Sequence, residues 1–239
     1  MIHANVAVRL ARLLGTPAKV ICTAHSIHEG GFGRRFLYRL TDPLSDLTTN
    51  VSRAAVAAYK AKGMVPSGRL TWVPNGIEMS RFCFPAGTRA ATRHSMGWGD
   101  DEFVWFAAGR LVEAKDYPNM IRAFAHITVA GVTGWRLVIA GDGPLRAEIE
   151  RQVNEAGLGP RISLLGLRSD VPALMNAADG YVMASAWEGL PMVLLEAAAL
   201  GLPVVATQVG GNAEIVLPGR TGSLVPPRDS IALGAALAA

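Results

Sequence analysis

Short apolar runs recur along the chain at residues 18–23, 70–74, 103–108, 136–140, 161–165, 180–184 and 203–206, with helical stretches between them. Short apolar runs bounded by turn residues read as buried strands, and their alternation with helical segments predicts parallel sheets joined by crossover helices. The run at 103–108 leads into Tyr117 to Phe124, where apolar positions resume helical spacing. The N-terminal MIHANVAVRLARLLG has the same spacing and no signal-peptide core. A mitochondrial presequence would look similar, but the strand-like AKVICT follows at once and favours a folded helix. No run is long enough to span a bilayer, because Gly, Pro or a charge interrupts each one. The expected fold class is α/β.

Turn chemistry divides the chain in two. VPNGIEMSRFCFPAG contains Pro74, Asn75, Gly76, Pro85 and Gly87, which fits a linker at about 74–87 between a first domain, 1–80, and a second, 88–239. With 239 residues, 50% hydrophobic and 18% charged, the chain is long and apolar enough for one large or two modest packed domains. Cys22 and Cys83 are the only cysteines, so reduced thiols in a reducing compartment are expected.

Two segments carry candidate chemistry. In SAWEGLPMVLLE, Glu188 and Glu196 bracket seven residues that include Gly189 and Pro191. The surroundings read as strand, turn, helix, strand, with Pro191 in the first helical turn. Free N–H groups near Leu190 to Val193 would form an anion site at the helix start, flanked by two carboxylates suited to hydroxyl groups. Upstream, the strand at 103–108 runs into Gly109 and Arg110, with Lys115 five residues on. Cations at the carboxyl end of a strand in an open α/β sheet sit where such sheets bind ligands, and Arg offers a planar fork for phosphate oxygens. Each feature alone also fits an ordinary surface; together they point to a nucleotide-sugar site.

GRLVEAK, IAGDGPLRAEIE, SAWEGLPMVLLEA and VVATQVGGNAEIV, in this order and spacing, resemble the nucleotide-binding domain of retaining GT-B glycosyltransferases of family 4. TAHS, TNVS and VPNGIEMSRF resemble the end of that family's acceptor domain and its linker. The resemblance covers nearly the whole chain. It implies a GT-B fold of two Rossmann-like domains, the N-terminal one incomplete here and the C-terminal one nearly complete. It also implies transfer of a sugar from a nucleotide-diphosphate sugar to a glycan or lipid-linked acceptor with retention. By position, Arg110 and Lys115 match cations that hold the donor diphosphate, and Glu188 the residue near the sugar hydroxyls. Glu196 matches the carboxylate on the ribose, and Gly189, Leu190, Pro191, Met192 and Val193 match the loop whose amides approach phosphate and sugar. His25 in TAHS matches an acceptor-domain histidine facing the donor sugar, although beside Ser26 it equally fits a hydrogen-bonded loop residue. Base and sugar would be read around Leu167, Arg168 and Trp187.

No Asp-any-Asp triplet occurs: Asp100 and Asp101 are adjacent, and Asp42 and Asp46 are too widely spaced. No metal and no cofactor are therefore expected, the cations and helix amides supplying the charge. A dehydrogenase is disfavoured because no Gly-x-Gly-x-x-Gly follows a strand. The basic–aromatic cluster GGFGRRFLYRL fits either an anionic membrane surface or a solvated helix face, with Arg35 and Arg39 together and Phe36 on another face. Nucleic acid is not an expected partner: the net charge of +4 is mild and no recognised nucleic-acid motif accompanies the cluster. The expected location is cytoplasmic, with peripheral contact at the inner membrane face. Family members begin with further βα units and continue past LVPPRDS, so the chain reads as truncated at both ends. The alternative is an inactive donor-binding fragment or remnant.

Overall fold

A computed structural model describes residues 2–15, 17–25 and 31–239; Ser26 lies outside the described residues. The chain forms two compact units, Met1–Gly76 with Trp187–Pro191, and Ile77–Ala186 with Met192–Ala239.

In the first unit the order is α1 (Ile2–Ala11), β1 (Ile21–Ala24), α2 (Phe32–Leu40), β2 (Leu47–Asn50), α3 (Arg53–Ala61) and β3 (Leu70–Trp72). The three strands are parallel, in the order β1-β2-β3. Ser52 caps α3 by accepting from the Ala55 N–H at 3.1 Å. Tyr38 and Tyr59, both fully buried, meet edge to face among Val6, Ala24, Met64 and Val65. Arg9 is also fully buried. Its Nη1 donates to the Tyr38 carbonyl at 2.8 Å and its Nη2 to Thr48 Oγ1 at 2.9 Å. The guanidinium lies 4.0 Å from the Tyr38 ring centroid, with Asp42 Oδ1 4.0 Å away.

β2 has no counterpart among the apolar runs. Its sequence is LTTN, and Thr48, Thr49 and Asn50 are buried, Thr48 Oγ1 accepting from Arg9, Thr49 donating to Thr23 Oγ1 at 3.0 Å and Asn50 Oδ1 accepting the Val51 N–H at 2.8 Å. On α2 the expectation that Phe36 occupies a separate face is wrong. Phe32, Arg35, Phe36 and Arg39 all line one cavity, the two phenylalanines stacking one turn apart.

The second unit runs α4 (Thr88–Met96), β4 (Phe103–Ala108), α5 (Tyr117–Val129), β5 (Trp135–Ala140), α6 (Arg146–Glu155), β6 (Ile162–Gly166), α7 (Val171–Ala177), β7 (Gly180–Met183), α8 (Met192–Ala199), β8 (Val204–Thr207), β9 (Gly222–Val225) and α9 (Ser230–Ala238). Its six strands are all parallel, in the order β6-β5-β4-β7-β8-β9. Successive side chains serve opposite faces: Leu137 and Ile139 of β5 pack in one core with Phe124, Ile149 and Leu233, while Val138 and Ala140 pack in the other with Phe106, Leu174 and Leu194. With both faces covered, the strands read as continuous apolar runs rather than as alternation. β9 was not among them, since GSLV opens on a glycine and offers only two apolar residues. Chain order reverses between β4 and β7, which makes the carboxyl ends of these two strands the topological switch point, the place where open α/β sheets bind ligands.

Candidate functional site

β4 delivers the chain to that switch point at Gly109 and Arg110. The loop then makes a short 3₁₀ turn, Glu113–Lys115, and enters α5, which Asp116 caps by accepting from the Asn119 N–H. Arg110 is exposed and Lys115 half-buried. Tyr117 Oη donates to the Gly109 carbonyl at 3.2 Å, fixing the peptide from which Arg110 projects.

The same loop is held from the other side by the β5–α6 connection, GDGPL. Leu111 N–H donates to the Asp142 carbonyl at 2.9 Å, and Leu145 N–H to the Leu111 carbonyl at 3.2 Å. The backbones touch so closely that a Cβ on Gly141 would stand 2.0 Å from the Gly109 oxygen, and one on Gly143 would stand 2.4 Å from the Leu111 oxygen. GDGP thus serves as a bare surface against which the cation-bearing loop lies, a role that appears once the two loops are seen together.

After β7 the chain passes through Ser185 and Ala186 toward α8. Ala186 N–H donates to the Ala114 carbonyl at 2.8 Å, joining this loop to the turn that carries Lys115. Thr207, at the end of β8, donates from Oγ1 to the Ser185 carbonyl at 2.6 Å, and Asn212 Nδ2 donates to the Thr207 carbonyl at 2.7 Å. Ser185, Thr207 and Asn212 are fully buried. This brace was missed by sequence reasoning; its signal is a polar Thr closing an apolar strand just before VGGN.

α8 begins at Met192, so Pro191 stands immediately before the helix rather than in its first turn. Met192 and Val193 form its first positions, and Glu196 lies one turn further along. Burial pushes the Glu196 carboxyl above its ordinary value, opposed by Arg81 of the 3₁₀ helix Met79–Phe82. Arg81 lies in the VPNGIEMSRF segment, where sequence reasoning assigned it no role at the site. At the end of β6, Leu167 is 82% exposed. Arg168 is engaged by Asp170 through a bidentate pair at 2.8 and 2.6 Å, and this guanidinium holds the Asp170 carboxyl below the usual carboxylate range.

The second unit thus gathers Gly109, Arg110, Lys115, Leu167, Arg168, Met192, Val193 and Glu196 on loops and a helix that follow the carboxyl ends of β4, β6 and β7. The first unit holds Glu188, Gly189, Leu190 and Pro191, together with His25, which is exposed directly after β1. Among the described residues no group of three or more His, Cys, Asp or Glu is arranged to hold a metal ion, and no helix is long and apolar enough to cross a membrane.

Residues 88–239 match the family model described as glycosyl transferases group 1. The GDP-mannose-dependent alpha-(1-6)-phosphatidylinositol monomannoside mannosyltransferase of Mycolicibacterium smegmatis is 32% identical over 242 residues, covering 95% of this chain and 62% of that enzyme. The UDP-Gal:alpha-D-GlcNAc-diphosphoundecaprenol alpha-1,3-galactosyltransferase of Escherichia coli is 30% identical over 236 residues, covering 92% and 59%. Among solved structures, Anabaena HepE in complex with UDP superposes with a TM-score of 0.87 at 25% identity, covering 98% of this chain and 65% of HepE. The chain therefore spans 59–65% of the length of these three proteins.

Proposed function

The chain belongs to the group 1 glycosyl transferases, its fold is of the GT-B type, and from that premise we propose that its second unit binds the donor of a sugar transfer. The donor is a nucleotide-diphosphate sugar, the acceptor a glycan or lipid-linked glycan, and the anomeric configuration is retained. The observation that carries this reading is the convergence of two loops at the β4/β7 switch point, one bearing Arg110 and Lys115, the other leading into α8, tied by the Ala186–Ala114 hydrogen bond.

The chemistry follows from the groups present. Breaking the bond between the anomeric carbon and the diphosphate oxygen develops positive charge on the sugar and negative charge on the leaving group. Arg110 and Lys115 meet that negative charge, and the amides at the start of α8 add to them. Glu196, on α8, takes the ribose hydroxyls, and the raised proton affinity that burial gives it makes it a stronger acceptor. Leu167 offers an exposed apolar surface to the base. By the family resemblance, Glu188 is assigned to the sugar hydroxyls, Gly189 to Val193 to phosphate and sugar, and His25 to the donor sugar. No metal takes part. HepE, solved with UDP and with UDP-glucose, supports the donor class.

Calorimetric titration with UDP, GDP, ADP and their sugar conjugates, with and without EDTA, tests the proposal. One nucleoside diphosphate should bind, and EDTA should not change its affinity. A panel in which none binds, or a strict magnesium requirement, would remove the reading. Retention is checked by the anomeric proton coupling of the product in a transfer assay.

A further inference from the structure

At the end of β6 the ladder with β5 slips. Ile139 pairs with Leu164 but Ala140 pairs with Gly166, so Leu165 is an extra residue and β6 carries a bulge directly before Leu167 and Arg168. Beyond it the two chains stay joined, the Gly141 N–H donating to the Gly166 carbonyl at 2.8 Å. Gly166 has φ +69, a left-handed backbone that favours glycine. A bulge bends its strand and re-aims the side chains that follow. Here the next side chain is Leu167, the exposed surface offered to the base.

Arg146, the first residue of α6, spans the bulge. Its Nη2 donates to the Leu164 carbonyl, before the extra residue, at 3.4 Å. Its Nη1 lies 3.2 Å from where a Cβ on Gly166, after the extra residue, would stand. Two carboxylates aim the guanidinium from behind: Nε donates to Glu150 Oε1 at 2.8 Å, and Asp142 Oδ2 lies 3.8 Å from Nη1. A planar fork can serve a carboxylate and a carbonyl at once, which a point charge does poorly. We infer that Arg146 is a positioning residue for the nucleobase end of the donor site, fixing the direction in which Leu167 and Arg168 leave β6. The inference rests on the donor reading above and deepens it. It concerns the base rather than the diphosphate, because the groups Arg146 spans lie at the end of β6, whereas Arg110 and Lys115 follow β4.

The test is calorimetric titration of the full chain with two probes, the best-binding nucleoside diphosphate and inorganic pyrophosphate, which has no base. Arg146→Met keeps the length of the stem and removes the fork. A misplacement of about 1 Å can cost on the order of 100-fold in a positioned site, so the nucleoside diphosphate should bind at least about tenfold more weakly. Pyrophosphate affinity should be unchanged, a split between ligands that a general loss of structure would not produce. Arg151→Met is the control, since Arg151 lies on the same helix and pairs with Glu148 and Glu155 on its surface; it should move neither affinity. An equal loss for both ligands in Arg146→Met, or an unchanged affinity for the nucleoside diphosphate, would overturn the inference. If Arg146→Met proves unstable, Arg146→Lys, which keeps the charge without the fork, is read in the same way. Failure of the unsubstituted chain to bind any nucleoside diphosphate removes the donor reading and this inference with it. Binding there that Arg146→Met leaves unmoved removes the inference alone.

Discussion

Gly141→Ala is the sharpest structural perturbation of the donor site that leaves its charges untouched. Gly141 has φ +144, a region that side-chain-bearing residues rarely enter, and an added Cβ would stand 2.0 Å from the Gly109 oxygen, where real contacts stay beyond 3.0 Å. The two backbones must therefore separate by about 1 Å or more, because packed interiors have no slack to absorb the overlap. The backbone strain costs on the order of 1–3 kcal/mol of stability. Displacing the loop that carries Arg110 and Lys115 should cost affinity as well, a misplacement of about 1 Å being able to cost on the order of 100-fold in a positioned site. Gly131→Ala serves as the control: its φ is +84, yet nothing lies within 4 Å of the added Cβ. Urea unfolding and calorimetric titration with the nucleoside diphosphate that binds best should separate the two. Both variants should lose stability, but only Gly141→Ala should lose affinity, by at least about tenfold. A folded Gly141→Ala variant with unchanged affinity would refute the reasoning that the GDGP backbone sets the position of the cation loop.

Glu196→Gln should stabilise the chain at neutral pH while weakening ribonucleotides more than pyrophosphate. Its folded carboxyl titrates above the ordinary 4.5, so the associated stability is full below that value and is lost as pH rises through the folded pKa; the gain in Tm should vanish in acid, and a pH-independent gain would count against the assignment. Thr207→Val removes the donor to the Ser185 carbonyl and should cost about 1–3 kcal/mol in urea unfolding, with weaker nucleotide binding; an unchanged midpoint would show that the bond is not made. Arg9→Ala leaves Asp42 buried without its cation, and a loss of about 3–5 kcal/mol is expected in the unfolding of the first unit, whereas a loss below about 1 kcal/mol would mean water reaches Asp42.

The second unit was largely legible because its central strands are buried on both faces, so that β4, β7, β8 and the Leu137–Ala140 part of β5 appear as apolar runs. β2 was not legible as a strand, because its buried positions are Thr48, Thr49 and Asn50, whose burial depends on partners such as Arg9 and Thr23 that lie far away in sequence. The cation motif Gly109, Arg110, Lys115 and the Glu188 to Glu196 spacing could be read directly, since each lies within one loop and one helix start. What holds them could not. The Gly141 contact with Gly109, the Thr207 bond to Ser185 and the proximity of Arg81 to Glu196 all join segments separated by 22 residues or more along the chain. On α2 the pattern was visible but its geometry was misjudged, because Phe36 adjoins Arg35 around the helix and the stacked Phe32 extends that face.

The central claim is that the cations at the β4/β7 switch point hold a diphosphate, and the affinity of the Arg110→Ala, Lys115→Ala double variant for the best-binding nucleoside diphosphate tests it most directly. Hydrogen bonds to charged groups contribute about 1.5–3 kcal/mol each, so losing even one corresponds to roughly a 10- to 150-fold weaker Kd. The account predicts a loss at least this large. Equal affinity in the double variant and the unsubstituted chain would contradict it.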